Sequence, residues 1–164
     1  MSEYAPPAFE AGIATSATLH TQLAALQRPL VFTNGCFDIL HRGHVTYLAQ
    51  ARALGAALVV GVNSDASVRR QGKGDDRPVN SLENRMAVLA ALASVDLVIA
   101  FDEDTPLNLI RAIRPDVLVK GGDWAVSAMV GSAEVLGWGG QVYSIPFLHT
   151  TSTTATLAKI RKTD

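Results

Sequence analysis

The chain has 164 residues, 48% hydrophobic and 18% charged, which suits one globular domain with a sizeable core and excludes a disordered chain. A formal net charge of −1 argues against a general nucleic-acid binder, which carries a basic surplus, but leaves room for a local basic pocket. The single cysteine, Cys36, excludes an intramolecular disulfide, and no apolar run approaches the roughly 18 residues of a membrane span.

Residues 1–7 lack the basic-then-apolar pattern of a signal peptide, so a cytoplasmic protein without a membrane partner is expected. Leu19, Leu23 and Leu26 recur at helical spacing, predicting an amphipathic helix over 18–27 ended by Arg28-Pro29. We expect it to pack on the domain edge or on a second subunit, as part of an extension over 1–28 ahead of a domain at 29–164. Leu30-Val31-Phe32 reads as a first strand, and apolar spacing from Val45 to Leu54 reads as a helix. Between them lies Thr33-Asn34-Gly35-Cys36-Phe37-Asp38-Ile39-Leu40-His41-Arg42-Gly43-His44. Unpaired backbone N–H groups at a helix start attract phosphate, and His41 and His44 add donors at the same place. No G-x-x-x-x-G-K-[ST] is present, so this is not a P-loop.

Ala57–Val62 is a continuous apolar run, as expected of a strand covered on both faces. Asn63-Ser64-Asp65 stops it and can cap a short helix through Val68. Residues 69–80 are polar and Gly-rich: either an exposed flexible loop, or a mobile one bringing Lys73 and Arg77 over phosphates. Ser81 caps a helix with Leu82, Met86 and Leu89 on one face and Arg85 off that stripe. Residues 96–101 form a third strand. The acidic run Asp102-Glu103-Asp104 before Pro106 reads as compensation of the dipole of a helix ending at Ile113. Residues 116–119 form a fourth strand, entering Lys120-Gly121-Gly122-Asp123-Trp124, where two glycines permit close approach of a ligand. A short helix over 131–136 and a fifth strand over 141–145 follow. The run His149-Thr150-Thr151-Ser152-Thr153-Thr154 then precedes a last helix, and serves either as an N-cap or as a second phosphate cradle. Strands alternating with helices indicate an α/β fold with a parallel sheet, five-stranded, with ligands at the strand C-terminal ends.

The G-x-F-D-x-x-H-x-G-H stretch resembles the HxGH-type nucleotidyltransferase superfamily. The blocks Val62-Asn63-Ser64-Asp65, Arg77-Pro78-Val79-Asn80, Glu83-x-Arg85-Met86, Val119-Lys120-Gly121-Gly122-Asp123 and Ser152-Thr153-Thr154 narrow the likeness. Together they are similar to the D-glycero-β-D-manno-heptose 1-phosphate adenylyltransferase family, whose activity often occupies half of a bifunctional kinase–adenylyltransferase. This chain is too short for the kinase half, which implies a stand-alone enzyme. The resemblance implies a Rossmann-like three-layer sandwich with strand order 3-2-1-4-5, and a homodimer. It also implies ATP and heptose 1-phosphate as substrates, ADP-heptose and pyrophosphate as products, no nucleic-acid partner, and Mg²⁺ held mainly by phosphate oxygens and water rather than by protein ligands.

It implies these roles. His41, His44 and Lys73 are catalytic. Asn34, Gly35, Cys36, Phe37, Gly43 and His44 meet the nucleotide, as do Gly121, Gly122, Asp123, Thr151, Ser152, Thr153 and Thr154. Asp38, Asn63, Lys73, Arg77, Arg85 and Lys120 meet the sugar phosphate. The attacking phosphate is already ionised, so alignment and charge neutralisation are needed rather than a general base. Cytidylyltransferase relatives place an Arg five positions before the Ser-Thr-Thr serine; here it is Phe147, and Lys73 or Arg77 would compensate. The competing expectations are a cytidylyltransferase acting on a polyol or amino-alcohol phosphate, and a nucleotide-sensing module without turnover.

Overall fold

A computed structural model describes residues 5–162; residues 1–4 and 163–164, including much of the segment read for a leader, lie outside it. The chain alternates strands and helices around a parallel sheet of six strands in the order β1-β4-β3-β2-β5-β6. The strands are β1 (Ile13–Ala14), β2 (Leu30–Gly35), β3 (Ala57–Asn63), β4 (Leu97–Phe101), β5 (Val117–Gly121) and β6 (Gln141–Ile145). Without β1, this is the expected order 3-2-1-4-5.

The sixth strand corrects the expected five. Ile13 and Ala14 pair with Val98 and Ile99 of β4, so the chain ahead of residue 28 adds an edge strand to the same sheet. A two-residue strand shows no periodicity to read. Helix α1 (Leu19–Ala24) is shorter than predicted. Leu19, Leu23 and Leu26 pack on this domain's own core, against the cluster containing Phe32, Val59, Ile110 and Leu118.

The opposite sheet face buries Val31, Leu58, Val60 and Val62 against Leu48 and Leu89. Leu48 lies on α2 (Arg42–Arg52) and Leu89 on α4 (Leu82–Ala90). Every residue of β3 is buried, as its unbroken apolar run requires. Two carboxylates fix the strand starts. Asp116 accepts from Leu30 N at 2.6 Å and from Arg28 at 2.8 Å. Asp96 accepts from Leu58 N and from Arg52 Nε, both at 2.7 Å.

Helix α3 (Asp65–Arg70) is capped by Ser64 and runs two residues past the expected end, removing Arg69 and Arg70 from the loop. The acidic run has another use than predicted. Helix α5 (Leu107–Ile113) has no side-chain cap, and Asp104 instead accepts from Arg70 Nε at 2.8 Å. Helix α6 (Ser132–Gly137) and helix α7 (Thr153–Arg161) complete the layers. No helix among the described residues is long and apolar enough to cross a membrane.

Candidate active site

The sheet order reverses direction at β2, whose neighbours are β3 and β5. Ligands bind at such switch points, beyond the carboxyl ends of the strands. A cavity of about 440 Å³ opens there, lined by Asn34 and Gly35 of β2 and Lys120 and Gly121 of β5. The turn from β2 to α2 closes one side, and Phe37 takes a left-handed φ of 47° within it.

His41 caps α2, its Nδ1 accepting from Gly43 N at 3.1 Å. That bond leaves Nε2 as the protonated nitrogen of the neutral ring. Gly43 makes the cap possible: a Cβ there would lie 2.9 Å from the His41 ring. His44 stacks on His41, centroids 3.8 Å apart, with Phe37 edge-on at 5.4 Å. Its Nδ1 is buried without a hydrogen-bond partner among the described residues. Burial, with the nearby charges of His41 and Lys73, pushes His44 down to about 4. Burial lowers His41 as well. Both rings are therefore largely neutral at pH 7, each with a single N–H, which in His41 is on Nε2.

The folded state resists protonating the His44 ring, so its contribution to stability is complete above the ordinary value of 6.5 and is lost as pH falls towards 4. Proton NMR of the folded, ligand-free protein should place the His44 midpoint near 4. A midpoint near 6.5 would mean that the ring is solvated.

Across the cavity stands the start of α7. Ser152 is its N-cap, Oγ accepting from Ala155 N at 3.1 Å, and Thr153 Oγ1 donates to the Ile39 carbonyl at 3.2 Å. Thr153 and Thr154 line the cavity. Thr151 and Ser152 line an adjoining cleft of about 400 Å³ with His41 and His44. The cap and cradle readings therefore hold different hydroxyls: Ser152 is engaged by the helix, and Thr154 is exposed.

Of the expected sugar-phosphate ligands, Lys73 and Lys120 reach the cavity as cations without a carboxylate partner among the described residues. Lys73 Nζ lies 3.3 Å from Cys36 Sγ. Burial and then Lys73 lower the Lys120 ammonium below its ordinary value. Asn63 is buried, its amide donating to Ser67 Oγ at 3.0 Å.

Three others bond to the frame: Asp38 and Arg77 do so while lining the cavity, and Arg85 lies outside its lining. Asp38 accepts from Arg77 Nε at 2.6 Å and from Val79 N and Asn80 N at 2.9 Å. Burial alone would raise its carboxyl, but these donors bring it below the usual range. Arg77 is thus a buried clasp to Asp38 that also lines the cavity, fixing the end of the 69–80 segment. Arg85 is fully enclosed, donating to the Cys36 carbonyl at 2.7 Å, the Asn80 carbonyl at 3.1 Å and Asp65 at 2.8 Å. Asp123 is exposed and, with Gly122, stands outside the cavity lining.

Two lining residues had no role in the sequence reading. Tyr47, buried on α2, donates to the Val119 carbonyl at 3.3 Å. Phe147 stands 5.9 Å from the Tyr47 ring, and a Cβ on Gly121 would lie 2.8 Å from it. Where the cytidylyltransferase pattern has a cation, this cavity has an aromatic wall closing on a glycine.

A family profile described as cytidylyltransferase-like matches residues 32–154, spanning the whole cavity frame. The chain belongs to the cytidylyltransferase-like family. A member from Bordetella bronchiseptica named D-beta-D-heptose 1-phosphate adenylyltransferase is 58% identical over 94% of this chain and 96% of its own length. The bifunctional protein HldE of Pseudomonas fluorescens is 58% identical over 82% of this chain, which spans 28% of that protein. Among solved structures, a lipopolysaccharide core biosynthesis protein from Thermoplasma volcanium is similar, with a TM-score of 0.60 and 28% identity, covering 74% of this chain and 98% of that one. A pantoate-beta-alanine ligase from Francisella tularensis shares the fold alone, with a TM-score of 0.61 and 14% identity over 84% of this chain and 67% of that one. The cytidylyltransferase-like match ends at Thr154, so the start of α7 is inside the shared frame and most of that helix lies beyond it.

Proposed function

We propose that the protein is an adenylyltransferase that combines ATP with D-glycero-β-D-manno-heptose 1-phosphate, releasing pyrophosphate and giving ADP-heptose for lipopolysaccharide core synthesis. The observation that carries this reading is the 58% identity, over nearly the full length of both chains, to a protein named for that acceptor. The cavity supports it: His44, stacked on His41 at one helix start, faces a hydroxyl-bearing helix start across a space that also holds Lys73 and Lys120.

An anionic oxygen of the sugar phosphate attacks the α-phosphorus. A new P–O bond forms while the bond to the bridging oxygen breaks, and the electron pair leaves with pyrophosphate. No proton need move. The protein therefore aligns the three groups and neutralises charge. His41 and His44 donate to the phosphoryl oxygens, Thr153 and Thr154 hold the outer phosphates, and Lys73 spans the reacting centre. Among the described residues no group of three or more His, Cys, Asp or Glu could hold a metal ion. In this reading Mg²⁺ enters as part of the substrate, carried on the phosphate oxygens of ATP. The same reading takes the protein as a cytoplasmic homodimer, which sedimentation of the purified protein checks.

The test is a pyrophosphate-release assay crossing ATP and CTP with heptose 1-phosphate and with polyol and amino-alcohol phosphates. ATP with heptose 1-phosphate should exceed every other pair. Preference for CTP would favour the cytidylyltransferase alternative, and ATP binding without release would favour a sensor. Lys73→Ala should lower turnover at least tenfold, since a charge-assisted contact to the transferring group is lost, with the melting temperature unchanged because the side chain is exposed. Unaltered turnover would leave Lys73 outside the mechanism.

A further inference from the structure

A second cavity, of about 280 Å³, abuts the first along Cys36, Lys73 and Lys120, on the side towards β3 and α5. Its far wall consists of Asn63, Gln71, Asp104 and Thr105, with Pro106 and Val130. We propose that this cleft receives the sugar of the acceptor, and that Gln71, Asp104 and Thr105 select it by bonding its hydroxyls. This assignment rests on the proposed function above.

The linings of the two cavities differ in kind. The larger presents Phe37, His44, Tyr47 and Phe147, which offer planes and edges to a base. The smaller has no aromatic side chain in its lining. A nucleobase would find nothing to stack on there, whereas a polyol needs donors and acceptors in alternation. Gln71 accepts the Cys36 thiol on Oε1 at 3.3 Å and keeps its amide N–H groups as donors. Asp104 gives Oδ1 to Arg70, leaving Oδ2 as an acceptor. Thr105 offers a hydroxyl, both donor and acceptor.

The shared wall supplies the other half of the recognition. Lys73 and Lys120 stand where the cavities meet, close enough for the charge of one to depress the other. An anion placed between them relieves that repulsion. An acceptor phosphate seated there projects its sugar into the smaller cleft and turns an oxygen towards the α-phosphoryl group in the larger one. The two substrates then enter from opposite sides of Cys36 and meet only at their phosphates.

Thr105→Val, Gln71→Leu and Asp104→Asn test this in the full chain, by steady-state pyrophosphate release with each substrate varied in turn. Each should raise KM for heptose 1-phosphate roughly tenfold, with KM for ATP within about twofold of wild type, because each removes a bond to the sugar and none to the nucleotide. Melting temperature controls for the surface Asp104–Arg70 pair, and the Thr105 hydroxyl makes no hydrogen bond among the described residues. Unchanged KM for the sugar in all three variants, or equal increases for both substrates, would overturn the subsite while leaving the proposed function standing. Failure of the wild-type protein to use heptose 1-phosphate would instead overturn the proposed function and this assignment with it.

Discussion

His44→Ala should lower turnover about 100-fold or more while ATP affinity changes far less. The imidazole is half-enclosed, stacked on His41 at 3.8 Å and braced by Phe37, so its position is fixed before substrate arrives. A donor held in place costs no reorganisation as charge develops, which is where loss of one such group is felt most. In the proposed reading the ground-state phosphates have other partners, Thr153, Thr154 and the two lysines, so binding should survive. The check pairs single-turnover pyrophosphate release with calorimetric ATP binding on a variant shown to be folded. Turnover close to wild type would remove His44 from the chemistry; equal loss of binding and turnover would make it a ground-state ligand.

Arg85→Met should cost about 3 kcal/mol of stability, because removing one partner of a buried ion pair strands the groups it satisfied. The Cys36 and Asn80 carbonyls and the Asp65 carboxylate all lose their donor. Met matches the length of the stem but supplies no N–H. For a chain of this size that loss corresponds to roughly ten degrees of melting temperature. Because the Cys36 carbonyl lies in the turn that carries the histidines, activity should fall even well below the transition. A thermal melt matching wild type, with KM for the sugar phosphate alone raised, would restore Arg85 as a substrate ligand.

The contrast between Arg85 and His44 shows what the sequence could reveal. The strand–turn–helix around His41 and His44 was legible because its determinants are local: an apolar run, a glycine, a cap, a helical period. The caps at Ser64, Ser81 and Ser152 were legible for the same reason. Arg85 carries a sugar-phosphate role on the resemblance alone, yet its side chain is enclosed by the frame, whereas Arg77 both bonds to the frame and lines the cavity. Whether a cation points into a cavity or into the frame depends on a carboxylate or carbonyl far along the chain. Asp38 is 39 residues from Arg77, and the Cys36 carbonyl is 49 from Arg85. Phe147 shows the same limit. It was visible as a missing cation, but its packing over Gly121 depends on the pairing of β5 with β6, which brings those two chain segments side by side.

The Asp38 clasp also sets how far Lys73 can travel. Helix α3 ends at Arg70, and the chain is fastened again at Arg77, so Lys73 rides on a leash of six residues anchored at both ends. Such a span reaches at most about 20 Å when fully drawn out, and far less when both ends are tied close together. The ammonium group therefore samples a small volume centred on the mouth of the cavity, at an effective concentration that a long free loop could not match. Lengthening the leash by a few glycines would dilute that cation without touching any residue of the site. Turnover should then decline gradually with each insertion rather than collapse at the first.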